Sequence, residues 1–314
     1  MTLEVYRGDL LRVAQLFADL PEDELRRRAM AAARDRDRET LWDLTVAHLT
    51  TLGREGAQVS PRTLRVYRVG VMHWLDYAGS RAVAILRPAR NSGPLFLRTL
   101  EARGLSAPSV RAYLAGTRAL YAALRWSGAT ELDPFADARA TRDKTPAWEK
   151  RQPYEEHEVQ ALLDAGDPRT RAFVLLGAHG GLRVQEIVTL RWKDVNLEAG
   201  TVRVLGKGRK VRTVNLSRSL LAALRVLGTD IHPGAPVIGA TAEAARQRLK
   251  LVCKKAGVPY RGVHALRHSA GTRMVRAGLS LHDAARHLGH SSIETTQTYA
   301  KWADDSLKRA LDGW

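Results

Sequence analysis

Tyr299 ends the run Leu288-Gly289-His290-Ser291-Ser292-Ile293-Glu294-Thr295-Thr296-Gln297-Thr298-Tyr299, which sets a histidine and a tyrosine nine positions apart. Upstream lie His264-Ala265-Leu266-Arg267-His268, the turn Gly206-Lys207-Gly208 and the triplet Gly181-Leu182-Arg183. Two arginines, two histidines, a lysine and a tyrosine in this order suit metal-free attack by a tyrosine on a DNA phosphodiester. Such an attack builds negative charge on the phosphate oxygens. A phenol, with a pKa near ~10, needs cationic neighbours or a base to become a nucleophile.

Taken singly, each residue has an ordinary reading. A tyrosine near a helix end usually packs into a core. Arg183 could be a surface arginine in a first helical turn, an unfavourable place beside the helix dipole unless an anion binds there. Gly-Lys-Gly is a common hairpin turn and lacks the spacing of a phosphate-binding loop. His264 and His268 are four apart and His287 and His290 three apart, so a zinc site is conceivable, yet no cysteine or carboxylate pattern accompanies them. Glu186, three residues after Arg183, reads as a group that fixes an arginine or the local fold. Trp302 and Trp314 read as packing residues.

The elements that must position these residues change character along the chain. The first half reads as helices only: residues 3–17 and 22–34, one from about Thr40 to Leu52, one opened by Ser60-Pro61, one over roughly 94–103, and one capped by Ser106 or Ser109 that runs through Trp126. Serine followed by proline is a helix-start signal, and Leu64, Tyr67, Val71, Trp74 and Leu75 recur at helical spacing. Arg26, Arg27, Arg28, Arg34, Arg36 and Arg38 stud the second helix and its end, as a solvated face or a contact to flanking DNA. Pro134 to Pro153 carries prolines among charges without apolar periodicity, which reads as a linker. Helices then cover Glu155–Ala165, Arg169–His179 and, after the Gly180-Gly181 break, Arg183–Leu190. Thr201–Val204 and Val211–Val214 read as a β-hairpin joined by the basic glycine turn. Helices follow at about 217–227, 241–256, 263–277, 281–288, 291–297 and 303–311.

Composition narrows the partner. The 314 residues suffice for two domains with their own cores. The formal net charge is +17, so an acidic polymer is the natural partner. Both halves share it: residues 1–150 hold 24 Lys and Arg against 18 Asp and Glu, and residues 151–314 hold 26 against 15. The lone cysteine, Cys253, excludes an internal disulfide and a cysteine metal cluster, and its context suggests a packed thiol. No apolar run approaches the ~20 residues that span a membrane, and no signal peptide opens the chain. A reduced, cytoplasmic location is expected.

The segments around Arg183, Lys207, His264-Ala-Leu-Arg267-His, Leu-Gly-His290 and Thr-Thr-Gln-Thr-Tyr299 resemble the tyrosine recombinases of the Xer/phage-integrase family. The resemblance is strong over about 155–305 and looser over about 40–135. It implies a mainly α fold with a small β-hairpin or sheet: a helical core-binding domain with an N-terminal extension at 1–138, a linker at 139–153, and a mixed α/β catalytic domain at 154–314. It also implies Tyr299 as nucleophile, Arg183 and Arg267 as clamps on the scissile phosphate, and Lys207 as general acid. His264 would assist proton transfer and His290 would be a further phosphate donor. The physics fits: an arginine fork meets two phosphate oxygens and keeps its charge, and preorganised charge is usually the largest catalytic contribution. No cofactor and no metal is expected. The expected partner is double-stranded DNA with a specific core site, bound by a homotetramer, or by this chain paired with a second recombinase, on two duplexes. The segment Ala303–Leu311 would dock on a neighbouring subunit or pack in cis. Two other readings are a type IB topoisomerase and a DNA-binding protein that uses the fold without catalysis.

Overall fold

A computed structural model describes residues 3–143, 145, 149, 152–206, 211–228, 232–289 and 299. The chain forms two compact units, Met1–Lys144 and Thr145–Trp314.

The first unit consists of helices α1 (Leu3–Ala18), α2 (Glu22–Asp35), α3 (Arg38–Thr51), α4 (Pro61–Ser80), α5 (Ser92–Ala102) and α6 (Ala107–Trp126). Their starts are written in side chains that accept otherwise orphaned backbone N–H groups. Asp37 accepts from Glu39 and Thr40, which starts α3 ahead of the predicted Thr40. Ser60 accepts from Thr63 with Pro61 behind it. Ser106, rather than Ser109, caps α6 and takes the Ser109 N–H. The α4 and α6 helices pack on each other, and α3 packs on α1 and α6. Trp74 is fully buried at the centre. It meets Phe135, Phe96 and Tyr121 edge-on at centroid distances of 4.9, 5.4 and 6.1 Å, the arrangement that ring quadrupoles favour. Of the arginines on α2, Arg27 and Arg28 pair with Glu24, while Arg36, in a left-handed conformation, reaches the carbonyls of Ala78 and Val83.

The second unit starts with α7 (Glu156–Ala165) and α8 (Pro168–Ala178). Residues Ala172 to Ala178 are all buried, so α8 is the central helix, with α10 (Arg218–Leu227) and α12 (Val263–Arg276) packed on it. The short α9 (Val184–Thr189) leads to a three-stranded antiparallel sheet, β1 (Val195–Asn196), β2 (Thr201–Leu205) and β3 (Val211–Asn215), in the order β1-β2-β3. The two-residue β1 is too short to leave a periodic signal. Helices α11 (Ala242–Ala256) and α13 (Leu281–Leu288) complete the described elements. Val202, Val204 and Val214 bury one face of the sheet. Cys253 is packed, with its Sγ 3.7 Å from the Tyr154 hydroxyl, and burial pushes its thiol up.

The turn residues 207–210 and the predicted helices at 291–297 and 303–311, with Trp302 and Trp314, lie outside the described residues. No described helix is long and apolar enough to cross a membrane.

Candidate active site

The site grows from one helix end. Helix α13 stops at Leu288 because Gly289 adopts a left-handed conformation, φ 67°, leaving its last carbonyls without intrahelical donors. Three guanidinium groups answer three successive carbonyls. Arg212 Nε donates to His287 O at 3.1 Å, Arg267 Nη2 to Leu288 O at 2.7 Å, and Arg183 Nη2 to Gly289 O at 3.2 Å. The negative end of the helix dipole suits this cluster of cations.

Each arginine arrives from a different element. Arg183 is the residue ahead of α9. It follows Gly181, whose φ of +66° is a left-handed conformation, and a Cβ there would lie 2.3 Å from Leu288 Cδ2, so the Gly180-Gly181 break admits no side chain at its second position. The Gly181 carbonyl in turn accepts Arg267 Nη1 at 2.6 Å. Arg267 stands on α12 and is only 1% exposed. Its Nε has no hydrogen-bond partner among the described residues. Burial, with Arg183 nearby, pulls this guanidinium down to about 10, so it keeps its charge at neutral pH. Arg212 comes from the inward register of β3, opposite Val204.

Glu186 ties the arginines together. Its carboxylate is buried in the first turn of α9. It accepts the Arg183 backbone N–H at 2.8 Å and Arg183 Nη1 at 2.9 Å. It also accepts both terminal nitrogens of Arg212, each at 2.9 Å, and Arg267 Nη1 lies 4.0 Å away. Burial alone would raise this carboxyl; the hydrogen bonds from Arg212 and from the Arg183 backbone outweigh it and hold the group below the usual carboxylate range.

Tyr299 is fully buried in a small cluster with Ala270 and Leu288, flanked by Met274 and Val275. Its ring lies against Gly271 of α12: a Cβ at that position would come within 2.5 Å of the ring. Burial pushes the phenol up to about 12, against the opposing pull of the Arg267 and Arg183 charges. On the same helix, His264 is exposed, and its ring centroid lies 4.7 Å from that of the buried His268, which lies 5.8 Å from that of Tyr299.

Of the six residues singled out in the sequence, Arg183, Arg267 and Tyr299 come together and His264 is joined to them through His268. Lys207 and His290 lie outside the described residues. Two members of the cluster are not among those six. His268 was visible as the closing residue of His-x-x-Arg-His and reads as a bridge between His264 and Tyr299. Arg212 carried a signal only in its register opposite Val204. Among the described residues no group of three or more His, Cys, Asp or Glu is placed to hold a metal ion.

Comparison with known proteins shows the family. The profile of the phage integrase family matches residues 153–305, and that of the phage integrase N-terminal SAM-like domain matches residues 49–128. Tyrosine recombinase XerC of Xanthomonas campestris pv. campestris (strain B100) is 32% identical over 275 residues, covering 81% of this chain and 83% of that protein. Tyrosine recombinase XerC of Stutzerimonas stutzeri (strain A1501) is 32% identical over 278 residues, covering 82% and 91%. Among solved structures, XerH site-specific recombinase bound to a palindromic difH substrate superposes with a TM-score of 0.64 at 17% identity, covering 98% of this chain and 95% of that one. A lambda integrase dimer bound to a COC′ core site gives 0.63 at 16% identity, covering 86% and 80%. The structural likeness speaks for the fold and the sequence likeness for descent. The chain belongs to the tyrosine recombinases of the phage integrase family.

Proposed function

We propose that this recombinase cuts one strand of each of two DNA duplexes at a specific core site through a 3′-phosphotyrosine on Tyr299. The Tyr299 oxygen attacks phosphorus, the bond from phosphorus to the 5′-oxygen breaks, and that oxygen leaves with a proton as a 5′-hydroxyl. The 5′-hydroxyl of the partner strand then attacks the phosphotyrosine and releases the tyrosine. Bond energy stays in the covalent link, so the exchange needs no nucleotide cofactor. In this reading Arg183 and Arg267 hold the non-bridging oxygens, Lys207 protonates the leaving oxygen, His264 assists proton transfer and His290 adds a phosphate donor. The roles of Lys207 and His290 rest on sequence alone. The charge work falls to these cations and no metal is required, so cutting should persist in excess chelator.

The observation that carries the reading is the state of Arg267. A guanidinium this deeply buried leaves its Nε–H unanswered among the described residues, beside a buried phenol. An orphaned donor of a charged group costs on the order of 1–3 kcal/mol or more, and a phosphate oxygen would satisfy it. Catalysis by such a site is differential: the same donors bind the phosphorane-like charge more strongly than the ground-state diester.

The relatives named XerC favour a recombinase over a type IB topoisomerase. By the same likeness we assign the helical region 1–138 to holding the core site, 139–153 to a linker and 154–314 to catalysis. The working unit is a homotetramer, or this chain paired with a second recombinase, on two duplexes, with Ala303–Leu311 packed between subunits. The protein would act on the nucleoid, in the cytoplasm. A core-site duplex nicked just past the scissile phosphate tests the assignment. It should trap a covalent protein–DNA adduct, and Tyr299→Phe should bind that DNA without forming one. An adduct that survives the change would overturn it.

A further inference from the structure

Arg212 has no part in the roles above, yet it is the most fully engaged guanidinium of the cluster. Its two terminal nitrogens take the two oxygens of Glu186, one each, at 2.9 Å, and its Nε takes the His287 carbonyl at 3.1 Å. Its side chain is 13% exposed. In this arrangement every nitrogen of the fork donates to protein, and the group lies largely out of solvent. What it does is occupy the carboxylate.

The charge balance shows why that matters. One buried carboxylate, Glu186, sits among three guanidinium groups. With Arg212 spanning both oxygens, the negative charge is largely matched by a residue whose fork is held within the protein. The Arg183 guanidinium then touches Glu186 through a single nitrogen at 2.9 Å, and Arg267 stands 4.0 Å off. Without Arg212 those two cations are the nearest partners of an unmatched buried carboxylate, and pairing would draw them onto it. The same change would release β3 from the end of α13, whose next carbonyls hold Arg267 and Arg183.

We infer that Arg212 is a positioning residue that neutralises Glu186 and so leaves the charges of Arg183 and Arg267 available to the scissile phosphate. The inference rests on the proposed role of those two arginines. It separates Arg212 from a residue that only stabilises the fold, because its effect passes through the charge on the phosphate.

The test uses two core-site duplexes that differ at one atom. In the second, a methyl group replaces one non-bridging oxygen of the scissile phosphate, making it neutral and removing the need for a balancing cation. Cleavage rates under single-turnover conditions are compared for the full-length protein, Arg183→Gln, Arg212→Gln and Arg212→Lys. Arg212→Gln should cut normal DNA roughly 10–100-fold more slowly, the scale on which losing a partner that orients a charged group is felt. On the neutral duplex the defect should shrink to within about threefold, as a residue acting through arginine charge requires. Arg212→Lys, which keeps the charge but not the two-pronged grip, should recover much of the loss on normal DNA. It also carries the comparison if the glutamine variant fails to fold. Relief of Arg183→Gln but equal defects of both Arg212 variants on the two duplexes would overturn the inference and leave the role of Arg183 standing. No relief of Arg183→Gln either would overturn both.

Discussion

Replacing Glu186 by glutamine changes one oxygen of a buried carboxylate into an amide nitrogen and removes its charge. The structure gives the size of the effect. The carboxylate accepts from the Arg183 backbone, from Arg183 Nη1 and from both ends of the Arg212 fork, all within 2.9 Å. An amide offers one acceptor where there were two, and its –NH₂ faces guanidinium donors. Hydrogen bonds to charged groups contribute about 1.5–3 kcal/mol each, and breaking a buried ion pair from one side costs about 3–5 kcal/mol. The side chain is only 5% exposed, so solvent screening discounts little of this. A loss of about 3–4 kcal/mol is expected, which is roughly 10²–10³ in an opening equilibrium. Native hydrogen exchange on peptides spanning 183–189 and 211–215 reads it directly. The pH dependence supplies a second signature. Because the Glu186 carboxyl is held below its usual range in the fold, its stabilisation is present above the unfolded value of ~4.3 and fades as pH falls through the lower folded value. Glu186→Gln should lose that acid-limb dependence. Exchange slowed or accelerated by less than about fivefold, with an unchanged acid limb, would refute the view that this carboxylate holds the arginines.

Other expectations follow from single contacts. Gly271→Ala puts a Cβ within 2.5 Å of the Tyr299 ring, so the phenol must move; nitration followed by mass spectrometry should leave Tyr299 protected in the DNA-free wild type and modified in the variant. A difference ultraviolet titration of wild type against Tyr299→Phe should show one phenol ionising near 12. The associated stability is fully present below the unfolded phenol value of ~10 and is lost as pH rises from there through about 12. Trp74→Ala, at the fully buried centre of the first unit, should cost about 3–5 kcal/mol, with hydrogen exchange rising in peptides from 61–126 and unchanged in those from 168–178.

Much of the fold was legible because helices announce themselves at their ends. Ser60-Pro61, Asp167-Pro168 and Ser280 mark starts by a mechanism that acts within four residues. The site was legible where a residue type was chemically odd for its place, as with an arginine next to a glycine break or a histidine–arginine pair on one helix. Arg212 shows where this fails. In Val211-Arg212-Thr213-Val214 alternation sets one valine on each face, so the sequence does not say which way the arginine turns. In the fold Val211 is exposed, and Arg212 shares the inward register with Val214, opposite Val204. Register depends on pairing with β2, and a one-residue slip exchanges the two faces. Only the partner Glu186, 26 positions away, explains a charge turned inward.

The central claim is that Tyr299 carries the DNA by its 3′ end. The direct measurement is to trap the adduct on a nicked core-site duplex whose cleaved strand is labelled at its 5′ end, digest it with protease and sequence the nucleotide-bearing peptide. The account predicts that the label travels with the protein, that the modified residue is Tyr299, and that the released strand begins with a free 5′-hydroxyl. A label left on the free strand, or a nucleotide on any other residue, would contradict it.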